Sequence, residues 1–139
     1  MDRAVVDRKL ESLRRCLVRI REKCPDTPEQ LAGDPDLQDI LAINLTRAVQ
    51  LSVDIGTHVL AATSLAAPET MGQAFDLLAT SGHLSPDLAG RMKKAVGFRN
   101  IAVHSYENID WAIVYAIAKH NIEDFDRFAA AIAARLPAD

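Results

Sequence analysis

Arg99, Asn100, His104 and Tyr106 lie within eight residues of one another in the string Phe98-Arg99-Asn100-Ile101-Ala102-Val103-His104-Ser105-Tyr106. An arginine is permanently charged and presents a fork of donors to phosphate oxygens. A histidine side chain takes up and releases protons near neutral pH. Together they suit cleavage of an RNA chain: the imidazole removes the 2'-hydroxyl proton while the guanidinium offsets charge growing on the phosphate. That scheme requires no metal. Spacing alone leaves plainer readings open. Arg99 can pair with an acid such as Asp54 and simply hold helices together, His104 can cap a helix end or face solvent, and Tyr106 can be a packed tyrosine with its hydroxyl at the surface.

The elements that must position these groups are helical. Leu10, Leu13, Leu17 and Ile20 recur at three and four residues, which predicts a first helix over about residues 3 to 23, ended by Pro25 and Pro28. Asp34 followed by Pro35 starts a second, reaching about residue 64. Thr70 caps a short third helix that stops near Gly82, and Ser85 with Pro86 opens a fourth that reaches about residue 104. After a loop from Ser105 to Ile109, Asp110 caps a fifth helix with Trp111, Val114, Tyr115, Ala118 and Ile122 on one face. No strand-like alternation, internal repeat or low-complexity linker interrupts this pattern. The expectation is one all-α domain over residues 1–139, an antiparallel up-and-down bundle of about five helices.

On the fourth helix, Leu88, Met92, Ala95, Ala102 and Val103 fall within roughly 60° of one direction, and Arg99 lies in the middle of that stripe. A cation on an apolar seam needs either a polar partner or an open cleft. Asn100 and His104 are one turn apart and share a different face. On the second helix, Asp54 and Arg47 are the groups that can orient Arg99 or His104, or else form an internal polar pair with no part in chemistry.

The chain has 139 residues, 49% of them hydrophobic and 25% charged, enough for one domain with a real core. Charges interrupt the N-terminal segment, so it does not read as a signal peptide, and no apolar run is long enough to span a bilayer; a cytoplasmic location with no membrane association is expected. The net charge of −3 is unevenly distributed. Residues 26 to 90 carry nine acids and one base, whereas residues 91 to 106 carry Arg91, Lys93, Lys94 and Arg99 with no acid. The total argues mildly against RNA, and the local cluster argues for it. Cys16 and Cys24 lie roughly 12 Å apart along a helix, beyond disulfide reach, and lack metal spacing.

Other groups offer less. His58, His83 and His120 are scattered, and His120 with Asp124 would give a metal only two ligands. Gly97 stands alone, with no phosphate-cradling loop. Arg14, Arg15, Arg19 and Arg21 on the first helix can steer RNA, though a solvated basic face is the simpler reading.

At Arg99-Asn100-Ile101-Ala102-Val103-His104-Ser105-Tyr106, preceded by Val96-Gly97 and followed by Glu107-Asn108-Ile109-Asp110-Trp111, the sequence resembles the R-x4-H-x-Y signature of HEPN toxins of the HepT type. Arg47-Ala48-Val49-Gln50, Asp54-Ile55-Gly56, Phe75 with Leu78, and Asp124-Phe125 with Phe128 extend the resemblance over most of the chain. The resemblance implies a HEPN-like helical fold and a metal-independent endoribonuclease acting on cellular RNA. Arg99 and His104 would be its catalytic pair, and Asn100 would order the site. It further implies a homodimer whose two motifs face a shared cleft. The implied partner is an MntA-type minimal nucleotidyltransferase antitoxin that uses ATP to add AMP to Tyr106; the chain itself would need no cofactor. A non-catalytic HEPN subunit that binds nucleotide or docks a nucleotidyltransferase is the alternative.

Overall fold

The structure, a computed structural model, describes residues 2–136. Among them are seven α-helices: α1 (Arg3–Lys23), α2 (Pro28–Ala32), α3 (Pro35–Leu60), α4 (Met71–Thr80), α5 (Pro86–His104), α6 (Trp111–Ala116) and α7 (Glu123–Ala134). Most begin at a residue whose side chain accepts from the first backbone N–H groups, namely Asp2, Thr27, Asp34, Thr70, Ser85 and Asp110. Such caps are worth about 1 kcal/mol each, and they set where each helix starts.

The four starts expected at Asp34, Thr70, Ser85 and Asp110 are observed. Four details differ from the sequence reading. Pro28 does not merely end α1; it is the first residue of α2, where Thr27 and Gln30 form a reciprocal capping box. The second long helix stops at Leu60 rather than near residue 64. The fifth expected helix is split, because a π-helical turn over Ile117–Asn121 separates α6 from α7. The connection after α5 is also not plain loop: Tyr106–Asn108 form one turn of 3-10 helix.

The helix α3 is the hub, packed against each of the other six. Its inward residues Leu41, Leu45, Val49, Ile55 and Leu60 are buried. Gly56 lies where a Cβ would come within 2.9 Å of Leu78 Cδ1, so its small size lets α4 close on α3. The turn after α4 uses Gly82 at φ 80°, a left-handed conformation that favours glycine. Across the core, Phe75 of α4 meets Phe128 of α7 edge to face, with ring centroids 5.9 Å apart at 81°. No helix among the described residues is long and apolar enough to cross a membrane.

Phe75 and Phe128 are both fully enclosed. Phe128→Ala is expected to lower the unfolding free energy by about 3–5 kcal/mol. Urea titration should show an earlier midpoint with an unchanged slope.

Candidate active site

The C-terminal half of α5 lies against α3 with the two chains running in opposite senses. Arg99 reaches Gln50, and seven positions later Tyr106 reaches Asp39, eleven positions earlier on α3. Leu88, Met92 and Val96 of α5 are buried in the core. Arg99 follows on this inward side and is half-buried, as the apolar stripe predicted.

Arg99 finds polar partners rather than a carboxylate. Its Nη2 donates to Gln50 Oε1 at 3.3 Å, and its Nη1 donates to Asn100 Oδ1 at 3.2 Å. Its Nε is enclosed and has no hydrogen-bond partner. The direct Arg99–Asp54 pair is therefore not formed. Gln50 stands between them, its Nε2 donating to Asp54 Oδ1 at 3.0 Å. The remaining oxygen of Asp54 faces Lys9 Nζ at 3.6 Å. Nor do Asp54 and Arg47 form a pair: Arg47 is exposed on α3, and its charge acts on Cys16, where it opposes the upward push of burial on the thiol.

His104 is the last residue of α5 and is exposed. Five helical steps leave Arg99 and His104 roughly 140° apart around the helix, with Asn100 about 40° from His104. Asn100 lies on the arc between them, and its contact with Nη1 draws the guanidinium edge toward the face that carries the imidazole. Around α5 the three groups therefore come in the order Arg99, Asn100, His104.

Tyr106 begins the 3-10 turn beyond α5 and is 41% exposed. Its hydroxyl donates to Asp39 Oδ1, and its ring meets Trp111 at 5.9 Å and 67°. Partial burial, reinforced by the hydrogen bond to Asp39 and the charge of that carboxylate, pushes its phenol up to about 12. Asp39 is the neighbour that the sequence reading missed; only a helical register linking residues 67 positions apart would have exposed it.

The remaining candidates take structural places. Asp124 is buried between Arg91 and Arg127, at 3.8 and 3.6 Å, so it is not the surface residue expected beside His120. The arginines of α1 have acidic partners: Arg14 and Arg15 on Glu11, Arg19 on Glu22, and Arg21 on Asp126. Both cysteines are free. No group of three potential metal ligands occurs among the described residues. A groove of about 950 Å³ runs between α5 and the α6–α7 segment, but none of Arg99, Asn100, His104 or Tyr106 lines it.

The described residues form an all-helical fold in which one helix carries a guanidinium held by two amides and ends in an exposed imidazole. The family model described as "Ribonuclease HepT-like" matches residues 13–132, and the chain belongs to that family. It is 34% identical to the mRNA nuclease HepT of Shewanella oneidensis, over 89% of this chain and 92% of the relative. The fold superimposes with a TM-score of 0.89 on a tri-AMPylated Shewanella oneidensis HEPN toxin in complex with MNT antitoxin. That match has 33% identity and covers 97% of this chain and all of the other. A toxin–antitoxin crystal structure with AMP-PNP gives the same TM-score at 32% identity, covering 95% and 99% of the two chains.

Asp39→Asn is expected to bring the Tyr106 phenol down from about 12, though not fully to the ordinary tyrosine value, because the larger cause, burial, remains. Ultraviolet titration of tyrosinate, with Tyr106→Phe as the reference, measures this. A folded-state value above the unfolded one means that the stabilising contribution is complete below about pH 10. It is lost as pH rises through about 12 in the native protein and over a lower range in Asp39→Asn.

Proposed function

We propose that this chain is the toxin of a toxin–antitoxin pair, a cytoplasmic, metal-independent endoribonuclease silenced by AMP addition to Tyr106. The carrying observation is the Arg99 guanidinium, held by two neutral amides, with His104 exposed at the end of the same helix. A cation without a carboxylate of its own retains its attraction for a phosphodiester. His104 takes the proton from a ribose 2'-hydroxyl, the 2'-oxygen bonds to phosphorus as the bond from phosphorus to the 5'-oxygen breaks, and that 5'-oxygen takes a proton from water as it leaves. Arg99 lowers the cost of the extra negative charge on the phosphoryl oxygens during that exchange. Asn100 keeps the fork turned toward the imidazole.

The bundle, read as an up-and-down antiparallel arrangement, works as a homodimer in this proposal. Arg99 and His104 project in different directions from one helix, so a second copy narrows the gap by facing its own motif into the same cleft. The outer face of α5 suits such an approach. Added Cβ atoms at Gly90 and Gly97 would meet nothing within 4 Å, and Ile101 on the same side is exposed at 45%.

Tyr106 is the acceptor for AMP, delivered from ATP by a minimal nucleotidyltransferase of the MNT type; the toxin itself needs no cofactor. The similarity to a tri-AMPylated HEPN toxin in complex with MNT antitoxin supports this reading. The phenol oxygen bonds to the α-phosphorus, pyrophosphate leaves, and the phenol gives up its proton. The product places a bulky anion two residues beyond His104, where it excludes RNA both sterically and by charge.

Arg99→Ala and His104→Ala, both folded, are each expected to reduce cleavage of bulk cellular RNA by about a hundredfold or more and to relieve growth arrest on expression. Arrest and cleavage that persist in both variants overturn the nuclease assignment. On co-expression with the neighbouring nucleotidyltransferase, intact mass should rise in AMP units in wild type and not in Tyr106→Phe. No adduct on the wild type would remove the switch alone.

A further inference from the structure

Between Arg99 and the nearest carboxylate stands one side chain whose polarity fits both neighbours. A guanidinium can only donate hydrogen bonds and an ionised carboxylate can only accept them. The Gln50 amide must therefore turn its oxygen to Arg99 and its nitrogen to Asp54, as the distances of 3.3 and 3.0 Å record. Its orientation is locked at both ends. The Asp54 charge is engaged on the far side by Lys9. Arg99 itself keeps a buried Nε with no acceptor, so its donor set is incomplete on the protein side.

We propose that Gln50 is a positioning residue that fixes the Arg99 fork while keeping the carboxylate of Asp54 one side chain away. This rests on the nuclease reading above. A carboxylate in direct contact would hold the guanidinium as firmly or more so, because charge-assisted pairs are the stronger ones. It would also cancel much of the positive charge that attracts an RNA phosphate. The amide supplies the hold without the cancellation. Gln50 does not touch the reacting atoms; it acts through Arg99.

The test exchanges the order of the two groups without changing their number or net charge. In Gln50→Glu combined with Asp54→Asn, the new carboxylate contacts Arg99 directly, and the new amide donates to it from the former position of Asp54. The only ion pair sacrificed, Lys9 with Asp54, is partly exposed and contributes little. Melting temperature should stay near that of wild type. Both kcat and affinity for an RNA oligonucleotide should drop, with kcat/KM reduced about tenfold or more. Gln50→Ala, which frees the fork but keeps its charge, should lower kcat while leaving KM within about twofold.

A structural role alone predicts the reverse ranking, with the exchanged pair at least as active as Gln50→Ala; that ranking overturns the proposal. If purified wild type cleaves no RNA, the nuclease reading fails first. Binding of a 2'-O-methyl RNA oligonucleotide then decides the role of Gln50 separately. Weaker binding by the exchanged pair than by wild type and Gln50→Ala supports it, and equal binding, or none by any of the three, overturns it.

Discussion

A guanidinium placed in the seam between two packed helices is the constraint around which this molecule is arranged. Arg99 occupies a position on α5 whose neighbours one and two turns back, Val96 and Met92, are buried in the core. Removing a cation from water costs several kcal/mol unless polar groups replace the lost solvent. The replacement comes from Asn100 beside it and Gln50 on the hub helix. Those contacts exist only if α3 and α5 oppose each other in one register. The caps at Asp34 and Ser85 begin the two helices, and the hydrogen bond from Tyr106 to Asp39 fastens the far end of the same register.

Charge is distributed to match. The chain as a whole is acidic, yet the basic cluster on α5 is not simply a bare patch. Arg91 is tied to Asp87 and Asp124, and Lys93 to Asp76. These pairs leave less net field than the sequence count suggests, and surface pairs are in any case screened beyond about 8 Å in physiological salt. Among the described residues, Lys94 and Arg99 are the cations of this cluster without a carboxylate partner, and Arg99 is the one met by amides. The same reasoning demotes Arg14, Arg15, Arg19 and Arg21 of α1, each matched to an acid within 4.0 Å.

Local signals were legible in the sequence, and long-range ones were not. Four helix starts were readable because a cap depends on residues within one turn of each other. The capping box of Thr27 and Gln30 was equally local, but the prolines around it suggested only an interruption. The π turn escaped because Ala118 within it and Ile122 and Phe125 after it remain buried at helical spacing. At the site, the oddity of an arginine on an apolar stripe was visible directly. Its partner was not, since pairing by charge points to Asp54, whereas the contact is made by the neutral amide one turn earlier. Asp39 was hidden for a related reason: nothing near Tyr106 in the chain announces it.

Within eight residues the restraint on successive groups falls away in an order that fits three different tasks. Arg99 is held from two sides, and a charge-stabilising group loses its effect if it must reorganise during reaction. His104, the base in the proposed reaction, is exposed at the helix terminus, where its ring has freedom to move. Tyr106 lies beyond the helix, tethered by one side-chain hydrogen bond and one edge-on ring contact. A transferase must detach that hydroxyl before it can modify it. Breaking one such bond in contact with water costs only about 0.5–1.5 kcal/mol, because solvent offers replacements. The tether is therefore strong enough to hold the tyrosine near the cationic surface and weak enough for a second protein to overcome.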